Sequence, residues 1–397
     1  MKPDLCFFSR SDCNYPLLVL NSHEINHIMK RFFLLITVTF LSVSLFSQDF
    51  FRSDFSKDKK YVILANPTAD NIGVVSFLLH NGILNTDDGI IDFVGVYHSS
   101  QKYDFNQSAE YIAANGLTRF HLYEVNAPLS EEMIYKQNAC SDDFRKMFRN
   151  SVGIIFFGGQ DIPPALYGQE NWYSETTDPG RHYFEVSFLF HLLGSTRNAA
   201  YRPLLEENPG YMVTGFCLGL QSMNVAAGGT LWQDIPAQLY ESTKPETHVL
   251  IDRKNLHRNY WQNIREGNDF MGINMHPVRF TESMFFGKTV KVSRKMQPVV
   301  YSSHHQAIND LAPVFEVTAR SDDGKIIEGI VHRKYPNVFS VQFHPEVSAL
   351  YEDRAPVRFA PDDKPATLHS MLDKKSLKFH LKYWGHISDV IDKGSRE

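Results

Sequence analysis

YMVTGFCLGLQSMNVAAGG, residues 211–229, decides the fold. Residues 211–216 form an apolar run of strand length, and residues 220–227 carry a helix that Gly228-Gly229 would stop. A buried strand that turns directly into a helix is the βα step from which parallel sheets are built. Gly215 and Gly219 stand two residues either side of Cys217. That spacing is the nucleophile elbow: the turn is tight, neighbouring backbones come close, and only glycine leaves them room. The thiol would sit over the helix N-terminus, whose positive end favours a thiolate. A small core cysteine between two turn glycines would give the same string.

Working outward, the same alternation recurs. Short apolar runs at 61–65, 92–97, 120–125 and 152–157 read as strands, with helical spacing at 71–84, 107–114, 131–149 and 181–193. Downstream, 315–320, 327–333 and 339–343 read as three short strands, the first two joined by the hairpin signal Asp322-Asp323-Gly324. Residues 376–391 read as a closing amphipathic helix. Residues 241–300 are polar and aromatic with little periodicity, and read as an excursion. The fold class expected is α/β, with a mostly parallel sheet covered by helices on both faces.

Two further stretches carry chemistry. Ser340-Val341-Gln342-Phe343-His344-Pro345-Glu346 lies at the end of an apolar run. In extended chain, residues i and i+2 point the same way, so His344 and Glu346 would share a side, as a general base and its orienting carboxylate require. A solvated turn is the alternative. Phe157-Gly158-Gly159-Gln160-Asp161 follows another apolar run. Such a loop can aim backbone N–H groups at a developing oxyanion, and the expected pair is the N–H of Gly159 with that of Leu218. Glycine pairs are also routine in ordinary turns.

The chain has 397 residues, 43% of them hydrophobic, and a formal net charge of -5. That is enough to bury a sizeable core, and it leaves no basic footprint for nucleic acid. Met29-Lys30-Arg31, the apolar run 32–46 and Ser47 read as a secretory signal over 29–47, shorter than the roughly 20 residues that span a bilayer. Residues 1–28 are then expected to be an untranslated or non-native extension, 48–60 a lead-in and 61–392 the working domain. The product would be exported, periplasmic or secreted. Of the four cysteines, Cys6 and Cys13 precede the signal, which leaves Cys140 and Cys217. One disulfide could join them, but the setting of Cys217 favours a free reactive thiol.

Taken together these residues resemble the class I glutamine amidotransferase-like superfamily. Gly158 opens GGQDIPPALYG, Asp178 opens DPGRHYFE, Asn224 opens NVAAGGTLWQDI, Ser302 opens SSHHQAI and Val341 opens VQFHPE. In that order they resemble the γ-glutamyl-γ-aminobutyrate hydrolase family, peptidase C26, over roughly residues 150–390. The resemblance implies a flavodoxin-like three-layer sandwich and a Cys217–His344–Glu346 triad that cleaves γ-glutamyl amides through a thioester. It places Gln221, Ser303 and His304 near the substrate. Asp161 and Arg181 either meet the substrate's charged groups or form structural ion pairs, the second being the preferred reading. Residues 60–150 depart from the family's usual opening and read as extra βα units on one edge of the sheet.

No cofactor or metal is expected, because His276, His304, His305 and His344 do not form a recognised zinc spacing. The expected partner is a small γ-glutamyl substrate, with no nucleic acid, no stable membrane partner once the signal is removed, and at most a second copy of the chain. A glutaminase subunit that feeds ammonia to a synthetase would use the same triad. A non-catalytic binding protein on this fold would not need it.

Overall fold

The computed structural model describes Phe51, residues 58–265 and residues 270–396. The expected signal at 29–47 and residues 1–28 lie outside the described residues, as does most of the lead-in 48–60.

The first elements are β1 (Lys60–Ala65), α1 (Ala69–His80), β2 (Ile91–His98), α2 (Asn106–Ala114), β3 (Phe120–Val125) and α3 (Ser141–Arg149). They are followed by β4 (Gly153–Phe156), α4 (Pro179–Leu193), β5 (Met212–Phe216) and α5 (Leu218–Ala226). Then come the short β6 (Leu231–Trp232), β7 (Asn274–Phe280), β8 (Val299–Ser302) and β9 (Ala307–Ile308). The chain closes with β10 (Phe315–Ser321), β11 (Ile327–His332), β12 (Val338–Val341) and α6 (Lys374–Arg396).

Ten strands form one sheet in the order β3-β2-β1-β4-β5-β12-β11-β10-β7-β8. From β3 to β12 every neighbour is parallel. Beyond β12 the sheet continues as an antiparallel meander. β1 shows why both faces are covered. Its residues alternate between two cores, Ile63 and Ala65 packing with α3, α4 and α5, and Val62 and Leu64 packing with α1 and α6. The result is the expected α/β three-layer arrangement with a mostly parallel sheet, and 60–150 builds the β3 edge as expected.

Three expectations are corrected. The helix expected over 131–149 is a single 3-10 turn, Glu131–Met133, followed by α3. Asn138 breaks it: its side chain donates to Met133 O at 3.0 Å and accepts from Cys140 N at 3.0 Å, an alternative to helical bonding. The helix expected to reach residue 84 ends at His80, where Asn81 and Gly82, the latter at φ 63°, turn the chain out. The excursion 241–300 contributes β7 and β8 to the main sheet. β7 does alternate, but two of its buried residues, Asn274 and His276, are polar, so no apolar period could betray it. The Asp322-Asp323-Gly324 hairpin forms as expected between β10 and β11, with Gly324 at φ 77°.

Candidate active site

Cys217 caps α5 immediately after β5, at φ 53° and ψ −104°, backbone that few non-glycine residues adopt. Its neighbours explain how the turn is built. A Cβ on Gly215 would come within 2.9 Å of Gly219 Cα, and one on Gly219 within 2.6 Å of Phe156 O. Cys217 itself is 5% exposed. Cys217 N donates to Val341 O at 3.0 Å, which ties the elbow to β12.

β5 and β12 run side by side with Phe216 opposite Val341, and β4 and β5 with Phe156 opposite Gly215. The loops that leave the carboxyl ends of β4, β5 and β12 therefore converge, the usual place for a site in an open α/β sheet. His344 stands on the third of these loops. Its Nδ1 is 2.7 Å from Glu346 Oε1, and this leaves Nε2 for the thiol. Burial disfavours a charged imidazole here, but the Glu346 carboxylate and the Cys217 side chain outweigh it and hold His344 well above the ordinary histidine range. The His-Pro-Glu turn is fixed from behind. Trp384 Nε1 and the Tyr351 hydroxyl both donate to Pro345 O, at 3.0 and 2.5 Å, and His344 N donates to Tyr301 O at 2.9 Å.

The glycine loop after β4 lies against the same groups. A Cβ on Gly158 would meet His344 Cε1 at 2.6 Å, and one on Gly159 would meet Leu218 Cδ2 at 2.9 Å and Arg181 Nη1 at 2.0 Å. Arg181 braces this loop from beneath: Nη2 donates to Phe157 O and Gly158 O at 3.1 and 3.0 Å, while Nε pairs with the fully buried Glu185 at 2.7 Å. Its role is structural. Neither Gly159 N nor Leu218 N has an acceptor among the described residues, so both are free to meet an oxyanion.

A cleft of about 230 Å³ opens over Cys217. Gln221, Ser303 and His304 all line it. Gln221 is 4% exposed and donates to Gln306 O at 3.1 Å, and His304 Nδ1 is bonded to Gln306 O at 2.7 Å. Both shape the wall, whereas Ser303 is exposed to the cleft. Asp161 is engaged by His305, which also contacts Asp234, at 3.0 and 3.1 Å respectively. Burial works against that imidazolium, but bonds and charges from the two carboxylates hold it up at about 9.

Sequence reasoning missed Arg258 and Glu175, which also line the cleft. Arg258 has no ion-pair or hydrogen-bond partner among the described residues. It lies in the aperiodic stretch 241–300, where a single arginine carries no signal of its own. Only one group of side chains among the described residues has a metal-ligand arrangement: His257, His276 and Glu328, buried beside the cleft. Of these, the spacing argument had considered only His276.

The peptidase C26 family model matches residues 99–346, ending on Glu346 itself. The chain belongs to the peptidase C26 family. A relative named "Putative glutamine amidotransferase-like protein YvdE", from Lactococcus lactis subsp. lactis, is 30% identical over 194 residues, 49% of this chain and 65% of that protein. "Protein NtpR" of Enterococcus hirae is 29% identical over 197 residues, 49% of this chain and 66% of that one. "Putative glutamine amidotransferase Rv2859c" of Mycobacterium tuberculosis is 30% identical over 198 residues, 49% and 50%. The chain thus spans just under two thirds of the first two relatives and half of the third. It is a glutamine amidotransferase-like member of that family. The family match begins at residue 99, directly after β2, so β1, α1 and β2 lie outside the matched region.

Proposed function

We propose that this C26 chain hydrolyses γ-glutamyl amide bonds with Cys217 as nucleophile. The observation that carries the reading is the 2.7 Å His344–Glu346 pair set beside the Cys217 elbow on adjacent parallel strands, under a cleft lined by both a cation and carboxylates. His344 takes the thiol proton as sulfur attacks the γ-carbonyl carbon. The resulting oxyanion lies toward the N–H groups of Gly159 and Leu218. Collapse breaks the C–N bond, and His344 returns the proton to the leaving amine. Water, deprotonated by the same imidazole, then cleaves the thioester, frees the γ-carboxylate and restores the thiol. Glu346 holds the imidazole tautomer and supports its positive charge. A γ-glutamyl group presents an α-carboxylate and an α-ammonium, for which Arg258 and Glu175 are the available partners of opposite charge.

The basic start and apolar run of 29–47 support export of the mature chain. N-terminal sequencing of secreted or periplasmic material would test it, and an intact residue 29 there would count against cleavage.

The functional test is release of glutamate from a panel of γ-glutamyl amides, glutamine included, by the chain from Gln48 onward and by Cys217→Ala. Release that is lost in the variant supports the reading, and the preferred amide names the leaving group. Release confined to glutamine, and only with a partner present, would move the chain to the amidotransferase subunits suggested by its relatives' names. No release from any substrate, with Cys217 inert to alkylation, would overturn it.

A further inference from the structure

His257 and His276 come from the excursion, the second of them on β7, and Glu328 comes from β11. All are buried, at 2%, 0% and 0% exposure. His257 Nδ1 is 3.0 Å from Glu328 Oε1, and His276 Nε2 is 3.8 Å from the same oxygen. The potential ligand atoms of the three residues lie within 4.8 Å of one another. Yet none of the polar atoms facing into the group forms an aligned hydrogen bond: His257 Nδ1 and Nε2, His276 Nε2 and both oxygens of Glu328 are all buried without one. Buried polar groups in folded proteins are normally satisfied, and leaving this many unmet is costly.

The tautomer of His276 sharpens the point. Its Nδ1 lies 3.1 Å from Pro277 O, an acceptor, so Nδ1 carries the hydrogen and Nε2 presents a lone pair. That lone pair faces a carboxylate oxygen. Two acceptors pointed at each other need a positive centre between them. A metal-bound histidine characteristically spends its other ring N–H on a backbone carbonyl in this way. Ligands at 2.0–2.1 Å around a tetrahedral zinc lie roughly 3.3 Å apart, and the two measured separations, 3.0 and 3.8 Å, straddle that value. Beside the group is a void of about 10 Å³ lined by His257, His304 and Asn255, whose Oδ1 also lacks a partner. It has room for about one water on the His257 side of the group.

We infer that His257, His276 and Glu328 form a structural binding site for a divalent transition-metal ion of the zinc class. Two imidazoles and one carboxylate suit zinc better than calcium or magnesium, which take oxygen donors. The site connects to the cleft wall through the backbone. His257 O accepts from His304 N at 3.1 Å, and His257 directly precedes Arg258. A bound ion would therefore pin the excursion to β7 and β11 and fix the wall that carries Ser303, His304 and Arg258.

The test uses the full chain carrying Cys217→Ala, so that the thiol cannot bind metal. Elemental analysis after purification without chelator should give about one zinc per chain. That zinc should be lost with Glu328→Gln and retained with Asp161→Asn, which probes the other histidine–carboxylate cluster. Stripped protein given cobalt should show the visible bands of a four-coordinate site, and its unfolding midpoint should rise on adding zinc. If Glu328→Gln fails to fold, the cobalt spectrum and the zinc-dependent midpoint of the Cys217→Ala chain still decide. Absence of retained metal, of cobalt bands and of a midpoint shift would overturn the site and leave a protonated Glu328 hydrogen-bonded to the imidazoles. None of these readouts depends on turnover, so failure here is separable from failure of the hydrolase reading.

Discussion

At the scale of single residues, His344 is the group on which the chemistry turns, and two substitutions probe it differently. Glu346→Gln removes the carboxylate that raises the imidazole, so the ring falls back toward the ordinary histidine range. The acid limb of kcat/KM, below which the imidazole is already protonated and cannot take the thiol proton, should move to lower pH. The rate should fall on the order of 10³–10⁴-fold, as it does when a triad carboxylate is neutralised. An unmoved limb would mean that Glu346 does not govern the base. Gly158→Ala leaves every triad side chain in place but puts a methyl 2.6 Å from His344 Cε1. It should cost kcat at least about 10²-fold through displacement of the ring, with the chain still folded by circular dichroism. Wild-type turnover in that variant would show that the loop yields freely.

At the scale of elements, the glycine loop owes its position to α4. Arg181→Met would leave the fully buried Glu185 without its partner, and such losses cost about 3–5 kcal/mol. Denaturant unfolding should show that loss, and a change under about 1 kcal/mol would mean that the pair is not buried as described. The cluster of His305 with Asp161 and Asp234 gives a pH signature. A histidine raised from 6.5 to about 9 on folding contributes its full stabilisation below pH 6.5 and loses it as pH climbs through about 9. The stability advantage of wild type over His305→Gln should therefore shrink across that window. An advantage that grows with pH would contradict the assignment. The elements also show what was legible in the sequence. The βα units and the elbow could be read because apolar runs and glycines carry their own geometry. β7 could not, since Asn274 and His276 occupy its inward positions, and Asn274 is satisfied outside the strand, by Arg253 O and Leu256 O. The break before α3 hung on one asparagine side chain. His257 and Glu328 had no signal at all, because only the packing of the folded chain brings them to His276. Gln221 and His304 line the cleft, but their hydrogen bonds to Gln306 make them wall rather than free contacts.

At the scale of the whole molecule, α6 is the piece that closes the site. Trp384 is fully buried, its ring 5.5 Å from that of Phe216 and its Nε1 on Pro345 O. One side chain thus touches the strand that carries the nucleophile and the turn that carries the base. Trp384→Ala should destabilise the protein by about 3–5 kcal/mol and depress activity in the fraction that stays folded. Full specific activity of that folded fraction would show that the clamp serves stability alone.

The pairing of β5 with β12 also has a consequence in time. These strands are neighbours in space, but His344 follows Cys217 by 344 − 217 = 127 residues. At translation rates of roughly 5–20 residues per second, the nucleophile leaves the ribosome about 6–25 seconds before its base. For that interval the thiol has no imidazole to activate it and no His-Pro-Glu turn above it. Activity of the kind proposed therefore cannot begin before His344 has emerged and β12 has paired with β5.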